Sequence, residues 1–224
     1  MMSLSGPDDL DRLCLEVDRE LGEQRDTSAL FTTLFRLARV SPTESPAWVY
    51  AHRHLAELLV QSDPWRAALY ARRVIARQPN DDGAWAIAGL AQTLLENYRS
   101  AVNAYQRALE LAPNNPWYAH NLGHLYDIGL DHPRDALPLL KQAMTAQPSE
   151  PDIAMSYAHA LARCGQLSAA KKVLKRVLRG SATSDQLALL RWINAGAPPG
   201  GLKLGELETK DAGDAAPTSP RELA

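Results

Sequence analysis

The residues whose types and spacing suit chemistry are histidines. His120 and His124 are four apart, so on a helix they share one face, and Asp127 follows three residues later. His159 stands 35 residues beyond His124, at the matching point of the next repeat described below. Two histidines at that spacing, joined by a third from a neighbouring helix, are a donor set for a zinc-like ion. They also make a face that titrates near neutrality. Asn121, not glutamate, follows His120, so the His-Glu-x-x-His pattern of a metallohydrolase is absent. No nucleophile pairs with a base, and no glycine-rich phosphate loop follows a strand. Cys14 and Cys164 match no metal spacing, and Cys14 shares a helix face with Leu10, Leu13, Val17 and Leu21, as a small core residue does. The chain therefore offers His120, His124 and His159 as candidate metal ligands, with no catalytic group and no cofactor to expect.

The elements that must position these side chains follow from a repeat. Ala67, Ala101, Ala136 and Ala170 stand 34, 35 and 34 apart. Pro79, Pro113 and Pro148 keep the same step, as do Val74, Ala108, Ala143 and Val177, and a small-residue column runs Gly89, Gly123, Ala158. A period in this range marks stacked helical hairpins, each burying its apolar face on its neighbours. In the unit Asp82 to Asn115, Trp85, Ala88, Gly89 and Gln92 follow helical spacing. Glu96-Asn97-Tyr98 makes the turn, and Ala101, Tyr105 and Ala108 line the inward face of a second helix. Pro113 ends that helix, because proline lacks an N–H and restricts the residue before it. The extra residue of the third unit falls in the Asp131-His132-Pro133 turn. In the first unit the bulky Leu55 falls in the small-residue column, with Ala56 as the alternative if the turn is a residue shorter.

These landmarks resemble the tetratricopeptide repeat family over about half of the chain. In the second unit Trp85, Ala88, Gly89, Tyr98, Ala101, Tyr105, Ala108 and Pro113 stand where that family's signature has them. The third unit keeps Leu122, Gly123, Tyr126, Ala136, Ala143 and Pro148; the fourth keeps Ala158, Leu161, Ala170 and Leu174, with Gly180 in place of the last proline. The resemblance implies an all-α, right-handed α-solenoid of helix-turn-helix hairpins. Its first helices line a concave groove through Val49, His52, Leu59, Ala86, Leu90, Trp117, His120, His124, Asp127, Met155 and His159. The groove is apolar in its first half, aromatic and histidine-rich in its second. The family's carboxylate clamp, which needs Lys, Asn and Arg on successive first helices, is absent: the matching positions hold His52 and Ala56, then Ile87, then Trp117 and Asn121. An apolar groove suits a partner's helix or peptide instead. Leu59, Ala86, Leu90, Trp117 and Met155 supply the contact area, unless the N-terminal helices fill it.

Two amphipathic helices precede the repeats, from Asp8 to Gly22 and from Asp26 or Thr27 to Val40. They form a degenerate fifth repeat or fold across the stack. Ser184 or Asp185 caps a last helix that carries Leu187, Leu189, Leu190, Trp192 and Ile193, the terminal cover that such a stack needs. The expected organisation of the single continuous array is thus an N-terminal hairpin at 1–44, four repeats at 45–180, a capping helix at 181–196 and a disordered tail at 197–224.

A net charge of −2 gives no electrostatic case for nucleic acid or a membrane surface. No apolar run approaches the length of a membrane span, and the start lacks a basic region followed by an apolar core, so no secretory signal is read. The basic run from Lys171 to Arg179 leaves Leu174, Val177 and Leu178 to pack while its charges face solvent; a docking patch for an acidic partner is its sharper alternative, and Arg72, Arg73 and Arg77 read the same way. The expectation is a cytoplasmic, non-catalytic scaffold, adaptor or assembly chaperone that binds another protein. The alternative is a histidine-based metal- or ligand-binding regulator. An unfilled apolar groove also closes by self-association, so a homo-oligomer is a further expectation.

Overall fold

The computed structural model describes residues 7–23, 27–178 and 182–199. Among them every regular element is helical. In chain order these are α1 (Pro7–Glu23), α2 (Thr27–Val40), α3 (Pro46–Leu59), α4 (Pro64–Arg77), α5 (Asp82–Leu94), α6 (Tyr98–Leu111), α7 (Pro116–His124), α8 (Pro133–Ala146), α9 (Pro151–Arg163), α10 (Leu167–Val177) and α11 (Ser184–Asn194). A π-helical turn, Leu125–Gly129, continues α7. The helices form two compact units, Met1–Leu111 with α1–α6 and Ala112–Ala224 with α7–α11.

Local chemistry sets the helix ends. Proline opens α3, α4, α7, α8 and α9, where its missing N–H has no intrahelical partner to lose. The side chains of Ser45, Asp63, Asp81 and Asn115 accept a backbone N–H of the first turn of α3, α4, α5 and α7. Such caps contribute about 1 kcal/mol each. The second helices α4, α6 and α8 stop at Arg77, Leu111 and Ala146, two residues before Pro79, Pro113 and Pro148.

The first helices of the second, third and fourth repeats end on a left-handed residue: Glu96 (φ 59°), Asp131 (φ 58°) and Gly165 (φ 78°). Asn97 N–H closes on the Gln92 carbonyl at 2.8 Å, and Gln166 N–H on that of Leu161 at 2.9 Å. The third unit reaches the same ending with one residue more. That residue is absorbed by the π-helical turn, where Leu130 N–H bonds the Leu125 carbonyl at 3.0 Å. The expected insertion in the Asp131-His132-Pro133 turn is therefore displaced into the helix, which leaves the turn geometry of the other units intact.

The small-residue column is a helix-crossing column. A Cβ on Gly89 would stand 2.8 Å from the Tyr105 ring, and one on Gly123 would stand 2.7 Å from Leu140 Cγ. Both neighbours are essentially buried, so neither yields without overpacking. In the first repeat Ala56 packs with Ala67 and Ala71, while Leu55 joins Leu13, Val17, Leu34, Leu37 and Ala51. The α1–α2 hairpin thus stacks on α3, and Tyr50 OH donates to Asp18 at 2.5 Å. Cys14 packs at the edge of this core, as expected.

In the second unit α11 lays Leu189, Trp192 and Ile193 on Ala158, Leu161, Ala162, Ala170 and Leu174. Its cap is Thr183, one residue before the expected Ser184 or Asp185. Gln186 completes a reciprocal capping box with it. Two residues of the tail expected from 197 are bonded to α11: Ala197 N–H bonds the Trp192 carbonyl at 3.0 Å, and Trp192 Nε1 donates to the Pro198 carbonyl at 3.1 Å. The rest of that expected tail, 200–224, lies outside the described residues, as do Arg179 and Gly180. On α10, Leu174 is buried while Lys172, Lys175 and Arg176 are exposed.

Candidate functional site

None of the eleven expected groove residues is freely exposed, and five are buried: Val49, His52, Ala86, Asp127 and His159. In the first unit, Val49 packs with Val74 and Ala84, so it belongs to the core rather than to a cleft. Leu59 and Leu90 lie half-buried at the edge of the α3–α4–α5 core. His52 is fully used internally. Its Nδ1 donates to the Trp48 carbonyl at 2.7 Å, its ring lies at a tilt of 34° to Trp48 with centroids 3.8 Å apart, and its Nε2 accepts from Arg73 at 2.9 Å. Burial lowers its pKa, opposed by the Trp48 carbonyl and reinforced by Arg73. Nearby, Arg53 makes two 2.7 Å bonds to the capping carboxylate of Asp81 and ties α3 to the start of α5.

The second unit gathers the histidines, but not around a common point. His124 Nδ1 lies 3.3 Å from Ser156 Oγ, Ser156 Oγ lies 3.0 Å from His120 Nε2, and His120 Nδ1 lies 3.2 Å from Asn121 Oδ1. Since Asn121 Oδ1 can only accept, the chain runs one way. His124 donates to Ser156, Ser156 donates to His120, and His120 donates to Asn121. His159 faces away from this chain. Its Nδ1 donates to Asp127 at 2.5 Å, and its ring stacks on Trp192 at 5.1 Å. Its Nε2 is enclosed without a hydrogen-bond partner. Arg163 completes the buried Asp127 group with a 2.9 Å bond to Oδ1, a second bond to the Asp127 carbonyl and a third to Asp131.

Asp127 lies in the π-helical turn at 1% exposure, where it meets His159 and Arg163 of α9. Among the described residues no three His, Cys, Asp or Glu side chains converge as a metal set. The expected ligands His120, His124 and His159 are divided between Ser156 and Asp127, so the metal reading lacks a geometric basis. Ser156 was not singled out in the sequence. Its signal was there: the column that holds Ile87 in the second unit turns polar, with Asn121 and Ser156, in the third and fourth.

Burial in the first place, with the charge of His124 added, pushes the His120 pKa down to about 4. Burial lowers His124 as well; Asp127 opposes this and His159 adds to it. A folded-state pKa below the unfolded value of about 6.5 means that the unfolded chain takes up protons first. The stability from neutral His120 is complete above about pH 6.5 and is lost as the pH falls toward 4. Denaturation midpoints at pH 7 and pH 5 should therefore differ by about 1–2 kcal/mol, with a flatter profile in His120→Gln. Equal slopes in the two proteins would show that His120 is not held neutral.

Stacked hairpins with small residues at the crossings, offering the faces of their first helices, define an α-helical repeat protein. Two tetratricopeptide repeat models match the chain, over residues 89–127 and 128–193. Tetratricopeptide repeats therefore occupy residues 89–193 of the chain. It is 29% identical over 129 residues to the tetratricopeptide repeat-containing protein trd-1 of Caenorhabditis elegans, covering 57% of this chain and 17% of that protein. It is 32% identical over 108 residues to the PEX5-related protein of Mus musculus, covering 47% and 19%. The chain thus spans less than a fifth of these relatives. Among solved structures, MamA from Desulfovibrio magneticus RS-1 matches with a TM-score of 0.68 at 17% identity, covering 78% of this chain and 96% of that one. PilF of Pseudomonas aeruginosa matches with 0.67 at 18%, covering 90% and 97%. At these identities the likeness is one of fold. No helix among the described residues is long and apolar enough to cross a membrane.

Proposed function

We propose that the protein is a non-catalytic scaffold, adaptor or assembly chaperone whose first-helix faces hold a helix or extended segment of another protein. The observation that carries this reading is the division of labour on those faces. The polar side chains are committed to one another: His52 to Arg73, His120 and His124 to Ser156, Asp127 to His159 and Arg163. Part-exposed apolar and aromatic side chains stand beside them, Leu59 and Leu90 in the first unit and Trp117 and Met155 in the second, with His120 and His124 exposed to a similar degree. Such side chains anchor partners, while prebonded polar groups shape the walls without a large desolvation cost on binding.

Trp117 is the expected anchor. It is the largest apolar side chain of these four, it stands at the capped start of α7, and its ring makes an edge contact with His120 at 5.8 Å. Partners recovered from the native host and titrated against the purified chain should bind Trp117→Ala at least about tenfold more weakly, with an unchanged melting temperature. Full binding by Trp117→Ala, with loss in Arg72→Ala, would move the working face to the outer helices.

A further inference from the structure

The first unit holds a second feature that the inner faces do not explain. A cavity of about 480 Å³ is lined by Thr43, Glu44, Trp48, Arg73, Ala76 and Arg77. Arg73 and Arg77 are four apart on α4 and share a face. Arg73 is preset. One of its N–H groups is spent on His52 Nε2, and its guanidinium lies over the Tyr70 ring at 5.6 Å. His52 is itself fixed as an acceptor by its Nδ1 bond to the Trp48 carbonyl. The rest of the Arg73 donor fork is left for a ligand. Trp48 gives the cavity an aromatic wall.

Arg77 already holds a carboxylate, that of Glu44. Glu44 reaches it from the loop between α2 and α3 with φ of 70°, a left-handed conformation uncommon for a residue with a side chain. Both members of the pair are more than two-fifths exposed, at 44% and 42%. Exposed pairs of this kind are weakly held and open readily to a competitor.

We infer that this cavity is a docking site for an acidic segment of a partner protein, with Glu44 as the resident stand-in that the incoming carboxylate displaces. An incoming carboxylate takes the Glu44 position on Arg77, a neighbouring one meets the free fork of Arg73, and the chain between them lies against Trp48. The volume accepts one or two side chains, not a folded domain. Unlike a clamp built from first helices of successive units, this site uses one loop, α3 and α4. It rests on the reading of the chain as a scaffold, yet needs no role for Trp117.

The test is fluorescence anisotropy with the full chain and a labelled hexaglutamate peptide blocked at both ends, at about 50 mM salt, where screening is mild. Hexaglutamine of the same length is the neutral comparison. Saturable binding of hexaglutamate alone is expected. Arg77→Gln, which touches only the Glu44 pair, should weaken it at least fivefold, and Arg73→Gln with Arg77→Gln at least tenfold. Glu44→Gln should strengthen it at least threefold by removing the internal competitor. Lys172→Gln with Arg176→Gln, on the exposed basic face of α10, should leave it within twofold. The inference is overturned by absence of saturable binding, by equal loss in the α10 variant, or by weaker binding in Glu44→Gln. Displacement of the peptide by inorganic phosphate far more effectively than by acetate would assign the cavity to phosphate instead. Thermal melts of each variant keep unfolding separate from lost binding; if the double variant melts early, Arg77→Gln and Glu44→Gln decide alone.

Discussion

Asp127→Ala is expected to lower the unfolding free energy by about 2–4 kcal/mol, the largest effect of any single polar change in the chain. The carboxylate is 1% exposed and is the common acceptor for His159 and Arg163. Removing it leaves the His159 Nδ1–H without an acceptor, on a ring whose Nε2 is already enclosed without a hydrogen-bond partner. Arg163 is one-quarter exposed and keeps Asp131, which moderates the loss. Asp127→Asn retains an acceptor and should cost about half as much. Asp131→Ala removes only a carboxylate that is 83% exposed and should stay within about 0.5 kcal/mol. Chemical denaturation of the three variants decides the matter. If Asp127→Ala behaves like Asp131→Ala, the buried cluster between the π-helical turn and α9 does not form in solution.

Truncation at the C-terminal side should separate two lengths sharply. A chain ending at Pro199 keeps α11 and the Pro198 carbonyl that receives Trp192 Nε1, and should melt as the full chain does. A chain ending at Ala182 loses Leu189, Trp192 and Ile193, which are almost wholly buried. Each such side chain contributes about 1.5–3 kcal/mol, so the sum approaches the entire stability of a small domain. It also uncovers Leu161 and Leu174, and brings Leu167 and Leu178 further into solvent. Aggregation on size-exclusion chromatography and loss of helical signal below about 40 °C are expected, because a stack without its terminal cover exposes a continuous apolar face. A shorter chain that remains monomeric and melts normally would remove α11 from the role of cap.

The repeat, the helices and the crossings were legible along the chain because each depends on local properties that recur with the period. Alanine and glycine at Ala101, Ala136, Gly89 and Gly123 permit close approach, Pro79, Pro113 and Pro148 stop helices, and Asp81 and Asn115 start them. None of these needs knowledge of a distant neighbour. What the side chains on the first-helix faces do was not legible, since it depends on which partner atoms stand opposite them. His120, His124 and His159 have the spacing of a metal site, yet Ser156 draws the first two and Asp127 the third. Asp127 lies in the π-helical turn that takes up the extra residue, buried against His159 of α9. Likewise Arg72, Arg73 and Arg77 look alike along α4, and only the packing of Trp48 and His52 and the reach of Glu44 set Arg73 and Arg77 apart around a cavity. The sequence alone determined the hairpin repeat and the prolines that end its helices, because those follow from backbone sterics and the helical period. The tertiary structure decided which polar groups are spent within the protein, because hydrogen bonds are short-ranged and are settled only when the helices pack.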